Sequence, residues 1–118
     1  MDRFRPDSFL PLTPVAFEIL LALADGEQHG YRIMQEVNAR SGGAVTLHAG
    51  TLYRTLARLL EQSLIEELAE RPDPDNHDER RRYYRLTKAG RRAAAEEAKH
   101  LEKLLADARS SGLVPKRS

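Results

Sequence analysis

Arg54 and Arg58 stand four residues apart in the stretch Gly50-Thr51-Leu52-Tyr53-Arg54-Thr55-Leu56-Ala57-Arg58-Leu59-Leu60. On a helix, that spacing lets both guanidinium groups address one surface. A guanidinium can donate two hydrogen bonds to guanine O6 and N7, and a threonine methyl can touch a thymine methyl in the DNA major groove. Leu52, Leu56, Leu59 and Leu60 fall at i, i+4, i+7 and i+8 and form an inward stripe. Thr51, Arg54, Thr55 and Arg58 fall on the other side, with Tyr53 at the border. Any amphipathic surface helix has this pattern, so the flanking elements must decide what it does.

Other chemistry has little support. There is no cysteine, hence no disulfide framework, thiolate metal site or cysteine nucleophile. His29, His48, His77 and His100 lack the spacing of a His-Glu-x-x-His metal site. Asn76-His77-Asp78, beside Asp73 and Asp75, reads as a solvated acidic loop rather than a metal site. No glycine-rich phosphate loop or nucleophile elbow is present. We therefore expect no enzyme activity, no metal and no cofactor.

The chain of 118 residues fits one domain, and its 41% hydrophobic residues suffice for a modest core. The net charge of +1 is low for a nucleic-acid binder. Its distribution says more. Arg80, Arg81, Arg82, Arg85, Lys88, Arg91 and Arg92 follow one another without an intervening acid, while acids gather at 73–79 and from 96 onward. No apolar run approaches the ~20 residues of a membrane span. Arg3 and Arg5 ahead of 15–24 imitate a secretion signal, but Glu18 interrupts that run and its apolar residues keep amphipathic spacing. A cytoplasmic protein without a membrane partner is expected.

The elements needed to position the arginines can be read in order. Residues 1–12 form a loosely ordered N-terminal arm in which Phe4, Phe9 and Leu10 can pack. Thr13-Pro14 caps and opens a first helix, which Asp25-Gly26 ends near residue 24. Gln28-His29-Gly30-Tyr31 opens a second helix, with Tyr31, Met34 and Val37 inward and Ile33 alongside. Ser41-Gly42-Gly43 stops it. Residues 45–47 are a small strand or an extended lead-in to the third helix. A weakly alternating strand at 64–69 follows. A charged loop at 71–80, with two prolines, leads to a second strand at 82–86. On that strand Tyr84 and Leu86 share one face and Tyr83 and Arg85 the other. Thr87 caps a last helix running to about residue 108. On it Ala94, Ala98, Leu101, Leu105 and Ala108 repeat at heptad spacing and predict a dimer seam. Residues 111–118 are expected to be a disordered tail.

This order predicts a mainly α fold with a small β-hairpin: a winged helix-turn-helix over 13–86 and a long C-terminal dimerisation helix over 87–110. The chain resembles the PadR family of bacterial transcription regulators. The matching pieces are Leu12-Thr13-Pro14, His29-Gly30-Tyr31, Gly50-Thr51-Leu52-Tyr53-Arg54 with Leu56 and Leu59, Leu64-Ile65-Glu66, and Arg81-Arg82-Tyr83-Tyr84-Arg85-Leu86-Thr87 with Gly90. They span about residues 12–95, and the single last helix resembles the family's compact branch. The resemblance implies a homodimer that represses from a two-fold operator and responds to phenolic or other small aromatic molecules. Ser63 departs from the glycine usual after the third helix. The absence of Trp removes the kind of drug pocket that many members build around it.

For double-stranded DNA we assign Thr51, Arg54, Thr55 and Arg58 to base edges and Tyr31, Tyr53, Arg80, Arg81 and Arg82 to phosphates. The acids of the wing tip are expected to stay off the backbone. An effector cavity, if the dimer forms one, would take Phe17, Leu21, Leu101, Leu104 and Leu105; the plain alternative is a dry interface core. The alternative function is a winged-helix protein–protein interaction module that does not bind DNA.

Overall fold

The computed structural model describes residues 12–42, 46–73 and 76–115, with side chains omitted at 73 and 76–80. The expected arm at 1–12, with Phe4, Phe9 and Leu10, lies outside the described residues apart from Leu12. So do the side chains of the wing-tip acids and of Arg80, and the last three residues. Four helices and three strands follow in the order α1 (Pro14–Ala22), β1 (Gln28–His29), α2 (Gly30–Arg40), α3 (Ala49–Glu61), β2 (Ile65–Asp73), β3 (Asn76–Leu86) and α4 (Lys88–Ser110). The expected class, mainly α with a β-hairpin in a winged helix-turn-helix, is the one observed.

Side-chain caps set the starts of α1, α2 and α4. Thr13 Oγ1 accepts from the Ala16 N–H at 3.1 Å, with Pro14 in the first turn. Thr87 Oγ1 accepts from the Gly90 N–H at 2.9 Å. The start of α2 differs from expectation. His29 is the cap, its Nδ1 accepting from the Arg32 N–H at 3.2 Å, and Gln28–His29 is a strand rather than the helix's first turn. Ile33 and Val37 then point inward with Gly30. Tyr31, expected on that inner stripe, lies two residues from Ile33 and so on the opposite side of the helix; it is 46% exposed.

The core is built by Ile19, Leu20 and Leu23 of the first helical segment, Ile33 and Val37 of α2, Leu52, Leu56 and Leu59 of α3, and Leu64, Ile65, Tyr84 and Ala93. The α3 stripe is therefore as expected, with Leu60 packed at its edge. Asn38 fixes the lead-in to α3: Oδ1 accepts from the Leu47 N–H at 2.6 Å and Nδ2 donates to the Leu47 carbonyl at 3.3 Å. Two hydrogen bonds on one residue hold Leu47 extended and buried.

The sheet has order β1-β3-β2, all antiparallel. Gln28 pairs with Tyr84 and His29 with Tyr83; Ile65 pairs with Leu86 and Pro72 with Arg80. The charged loop expected over 71–80 is instead mostly strand. Pro72 signalled a loop, but β2 is an edge strand, where a missing N–H can face solvent. Irregular register between Leu68 and Arg71 also relaxes the ladder there.

One junction joins α3, the hairpin and α4. At the end of α3 the Leu64 N–H donates to the Leu59 carbonyl at 3.0 Å and the Ser63 N–H to the Leu60 carbonyl at 3.0 Å. This is a Schellman cap with Ser63 in the left-handed region at φ 60°. The departure from glycine thus keeps the turn. The Thr87 N–H donates to the Leu64 carbonyl at 3.1 Å, and Thr87 Oγ1 donates to the Ser63 carbonyl at 2.7 Å. Gly90 lies so close that a Cβ there would sit 1.8 Å from the Leu64 oxygen.

The first half of α4 packs on this core through Gly90, Ala93 and Glu97, with Ala94 at the edge. Beyond it, residues 98–107 are exposed. The helix ends in a second cap, with the Leu113 N–H on the Ala108 carbonyl at 2.9 Å and the Gly112 N–H on the Arg109 carbonyl at 3.1 Å. The segment expected as a free tail thus begins with ordered backbone bonds.

Two substitutions test the junction in urea unfolding at fixed protein concentration. Gly90→Ala should destabilise by about 3 kcal/mol, the upper range of overpacking, because its neighbour is backbone that cannot turn away. Ser63→Gly should stabilise by ~1 kcal/mol by removing left-handed strain, moving the midpoint without changing the slope.

Candidate nucleic-acid interface

The α3 register buries Leu52, Leu56 and Leu59 and leaves Arg54 and Arg58 exposed on the outer face. Thr51 and Thr55 lie at the border, half-buried. Arg54 Nη2 donates to Thr51 Oγ1 at 3.3 Å, and Thr55 Oγ1 donates to the Thr51 carbonyl at 2.8 Å. The Thr55 hydroxyl is therefore committed to its own helix, while its methyl remains available for contact. Thr51, Thr55 and Arg58 also edge a groove of about 280 Å³ closed on its other side by Leu12, Val15 and Ala16 at the start of α1. His48 precedes α3 without a side-chain cap, so the first N–H groups of this helix are left for an outside acceptor.

Tyr31 and Tyr53 come together with the wing. They line a cleft of about 380 Å³ with Gly30, Glu70, Arg81, Arg82 and Tyr84. Tyr53, 51% exposed, lies across the start of α2, its hydroxyl 2.8 Å from where a Gly30 Cβ would stand. Gly30 is required by that approach, a role that spacing did not reveal. The Arg81 guanidinium lies 5.6 Å from the centre of the Tyr31 ring. The buried phenol of Tyr84 closes the cleft; burial first, then the charge of Glu67 and of Tyr53, raises its pKa above the usual tyrosine value.

The wing arginines divide into separate roles. Arg85 Nε donates to Glu66 at 2.5 Å, and that hydrogen bond, then the Glu66 charge, raises the guanidinium above its usual pKa. Arg85 is thus the structural member of the strand face it shares with Arg81 and Tyr83. Arg82, assigned to phosphate, spans Glu67 at 3.1 Å and Glu70 at 3.5 Å across the hairpin. Arg71 pairs with Glu27 and stacks on Tyr83, 4.0 Å from its centre. The sequence reading placed the neutralising acids at the wing tip. The structure adds Glu66, Glu67 and Glu70 on the facing strand, which only the strand register brings opposite arginines.

The seam residues fall into two groups. Ala94 packs on its own core, whereas Ala98, Leu101 and Leu105 line an open groove with Lys99, Glu102, Ala106 and Arg109. Leu101 and Leu105 are 41% exposed and Leu104 is 49% exposed. Phe17 and Leu21 are half-buried on α1 and are not part of that groove. Among the described residues, no group of three or more acids or histidines is placed to hold a metal ion, and no helix is long and apolar enough to cross a membrane.

Residues 19–96 match the Transcriptional regulator PadR-like family. A transcriptional regulator of Mycobacterium tuberculosis is 41% identical over 90 residues, covering 76% of this chain and 78% of that protein. A 37.1 kDa protein of a Streptomyces fradiae transposon is 38% identical over 86 residues. That match covers 73% of this chain, which spans only 22% of the transposon protein. The crystal structure of Bacillus subtilis PadR in complex with operator DNA shares the fold at TM-score 0.61 and 20% identity, over 71% of this chain and 47% of that one. The matched family is one of transcriptional regulators and not of enzymes. With 19–96 inside the family pattern and the mycobacterial regulator similar over most of both chains, this chain belongs to the PadR-like family of transcriptional regulators.

Proposed function

We propose that this regulator binds a two-fold DNA operator as a homodimer and represses transcription from it. The observation that carries the reading is the pair of outward arginines, Arg54 and Arg58, on the face of α3 opposite its buried leucines. In this reading α3 enters the major groove, with Arg54, Arg58 and the Thr51 and Thr55 methyls at base edges. Tyr31, Tyr53, Arg80, Arg81 and Arg82 meet the flanking phosphates, together with the uncapped start of α3. The operator complex of Bacillus subtilis PadR supports this mode of binding.

The second half of α4 supports the dimer. Three exposed leucines on a helix beyond the core form an apolar face that a second copy would cover. A small aromatic or phenolic effector would lie between α1 and α4 against Phe17, Leu21, Leu101, Leu104 and Leu105. It would act by favouring one spacing of the two α3 helices. The protein works in the cytoplasm, with no cofactor.

One observation favours a second reading, a protein-interaction module. Glu66, Glu67 and Glu70 neutralise wing arginines that would otherwise face phosphate. The two readings differ in salt dependence. Fluorescence anisotropy against DNA upstream of the protein's own coding region should show affinity falling steeply with salt. Arg54→Ala should erode the preference over a scrambled duplex by ~1–3 kcal/mol. Arg81→Ala should weaken binding to both duplexes alike. Weak, sequence-blind binding by wild type and Arg54→Ala together would favour the protein-interaction module.

A further inference from the structure

We propose that the arm before α1 is a second DNA contact: Arg3 and Arg5 enter the minor groove on the flank of α3 opposite the wing. The inference rests on the DNA-binding reading above. The arm leaves the domain at Leu12. That residue lines the groove of about 280 Å³ between the start of α1 and the Thr51, Thr55 and Arg58 side of α3. Leu12 also packs against the core, and its N–H donates to Oε1 of the buried Glu97 at 3.3 Å. Thr13 caps α1 immediately after it. The exit of the arm is therefore fixed beside the residues assigned to base edges.

The two flanks of α3 follow from the helical period of about 100° per residue. Leu52, Leu56 and Leu59 mark the buried side. Counted round the axis, Thr51, Thr55 and Gln62 fall on one flank and Tyr53 on the other, with Arg54 and Arg58 on the outer face between them. The contacts agree. Thr51, Thr55 and Gln62 line the groove against α1, whereas Tyr53 lines the cleft with Tyr31 of α2 and with Arg81 and Arg82 of the wing. With α3 seated in the major groove, the wing stands over one bordering phosphate strand and the exit of the arm over the other.

The arm is long enough to go further. Arg5 stands seven residues before Leu12 and Arg3 nine; an extended chain covers these separations in up to roughly 23 and 30 Å. The major groove is about 12 Å wide, so the arm can cross the bordering phosphate strand to the minor groove beyond. Arginine is the side chain drawn into a minor groove narrowed by A·T pairs, where the negative potential is strongest. In an extended strand residues two apart point the same way, so Arg3 and Arg5 enter together. Asp7, nearer the exit, opposes the same field and supplies a control of opposite sign.

Fluorescence anisotropy of the full chain against the duplex upstream of its own coding region tests this, with folding checked by far-ultraviolet circular dichroism. The double variant Arg3→Ala with Arg5→Ala should bind about 10-fold more weakly than wild type, and its affinity should fall less steeply with salt. Asp7→Asn should bind more tightly. The chain has no cysteine, so Asp2→Cys can carry an iron chelate that cuts DNA where the arm lies. The cuts should fall in the minor groove bordering the α3 site. Unchanged affinity and salt slope in the double variant, or cuts scattered along the duplex, would refute the arm while leaving the α3 reading intact. A wild-type chain with no preference for that duplex over a scrambled one would overturn both.

Discussion

The Leu64 carbonyl is where the mechanical parts of the chain meet. It accepts the Thr87 N–H, and Gly90 packs directly against it. The Leu64 N–H closes the cap of α3 in the same residue. The end of α3, both bases of the hairpin and the start of α4 are thereby tied through backbone atoms, which have far less freedom than side chains. A close-packed junction of this kind transmits a shift rather than absorbing it. A tilt of α4 therefore carries α3 and the wing along with it.

The electrostatic design explains the modest net charge. The wing is not a bare basic strip: Arg82 and Arg85 are held by glutamates on the facing strand. Surface pairs like these add little stability. Their effect is to offset the positive charge of the wing and to hold the arginines in place. On α3 the balance is different. Among the described residues Arg54 has only the Thr51 hydroxyl, a neutral group, as a hydrogen-bond partner. The α3 arginines are thus less committed to partners than Arg82 and Arg85 of the wing.

α4 changes character along its length. Up to Glu97 it is part of the domain core, with Gly90 and Ala93 allowing close approach to the hairpin base and α1. Glu97 itself is 3% exposed and takes up the Leu12 N–H at the entry to α1. Beyond that point, among the described residues, the helix is exposed through residue 107, its leucines included. The division follows from where α1 lies: its entry at Leu12 is tied to Glu97 and its exit at Ala24 to Arg91, so it runs away from the last turns of a helix of 23 residues.

Much of this was legible in the sequence because it depends on local rules. Caps at Thr13 and Thr87, the leucine stripe of α3 and the alternation at 82–86 follow from backbone hydrogen bonding and from helix and strand periods. Arg54 and Arg58 were found by the same rule, since inward leucines leave little choice for the opposite face. What the tertiary structure decided lies between segments distant in sequence. The strand at Gln28–His29 is too short to show a period and exists only because β3 is there to pair with it. Tyr31 turned outward because Ile33 and Val37 matched the core better. The loop expected over 71–80 became strand because an edge position suits Pro72. The glutamates that hold Arg82 and Arg85 were chosen by strand register, and Gly90 by a carbonyl 26 residues earlier in the chain. Periodicity describes which face a residue takes; only packing determines what that face meets.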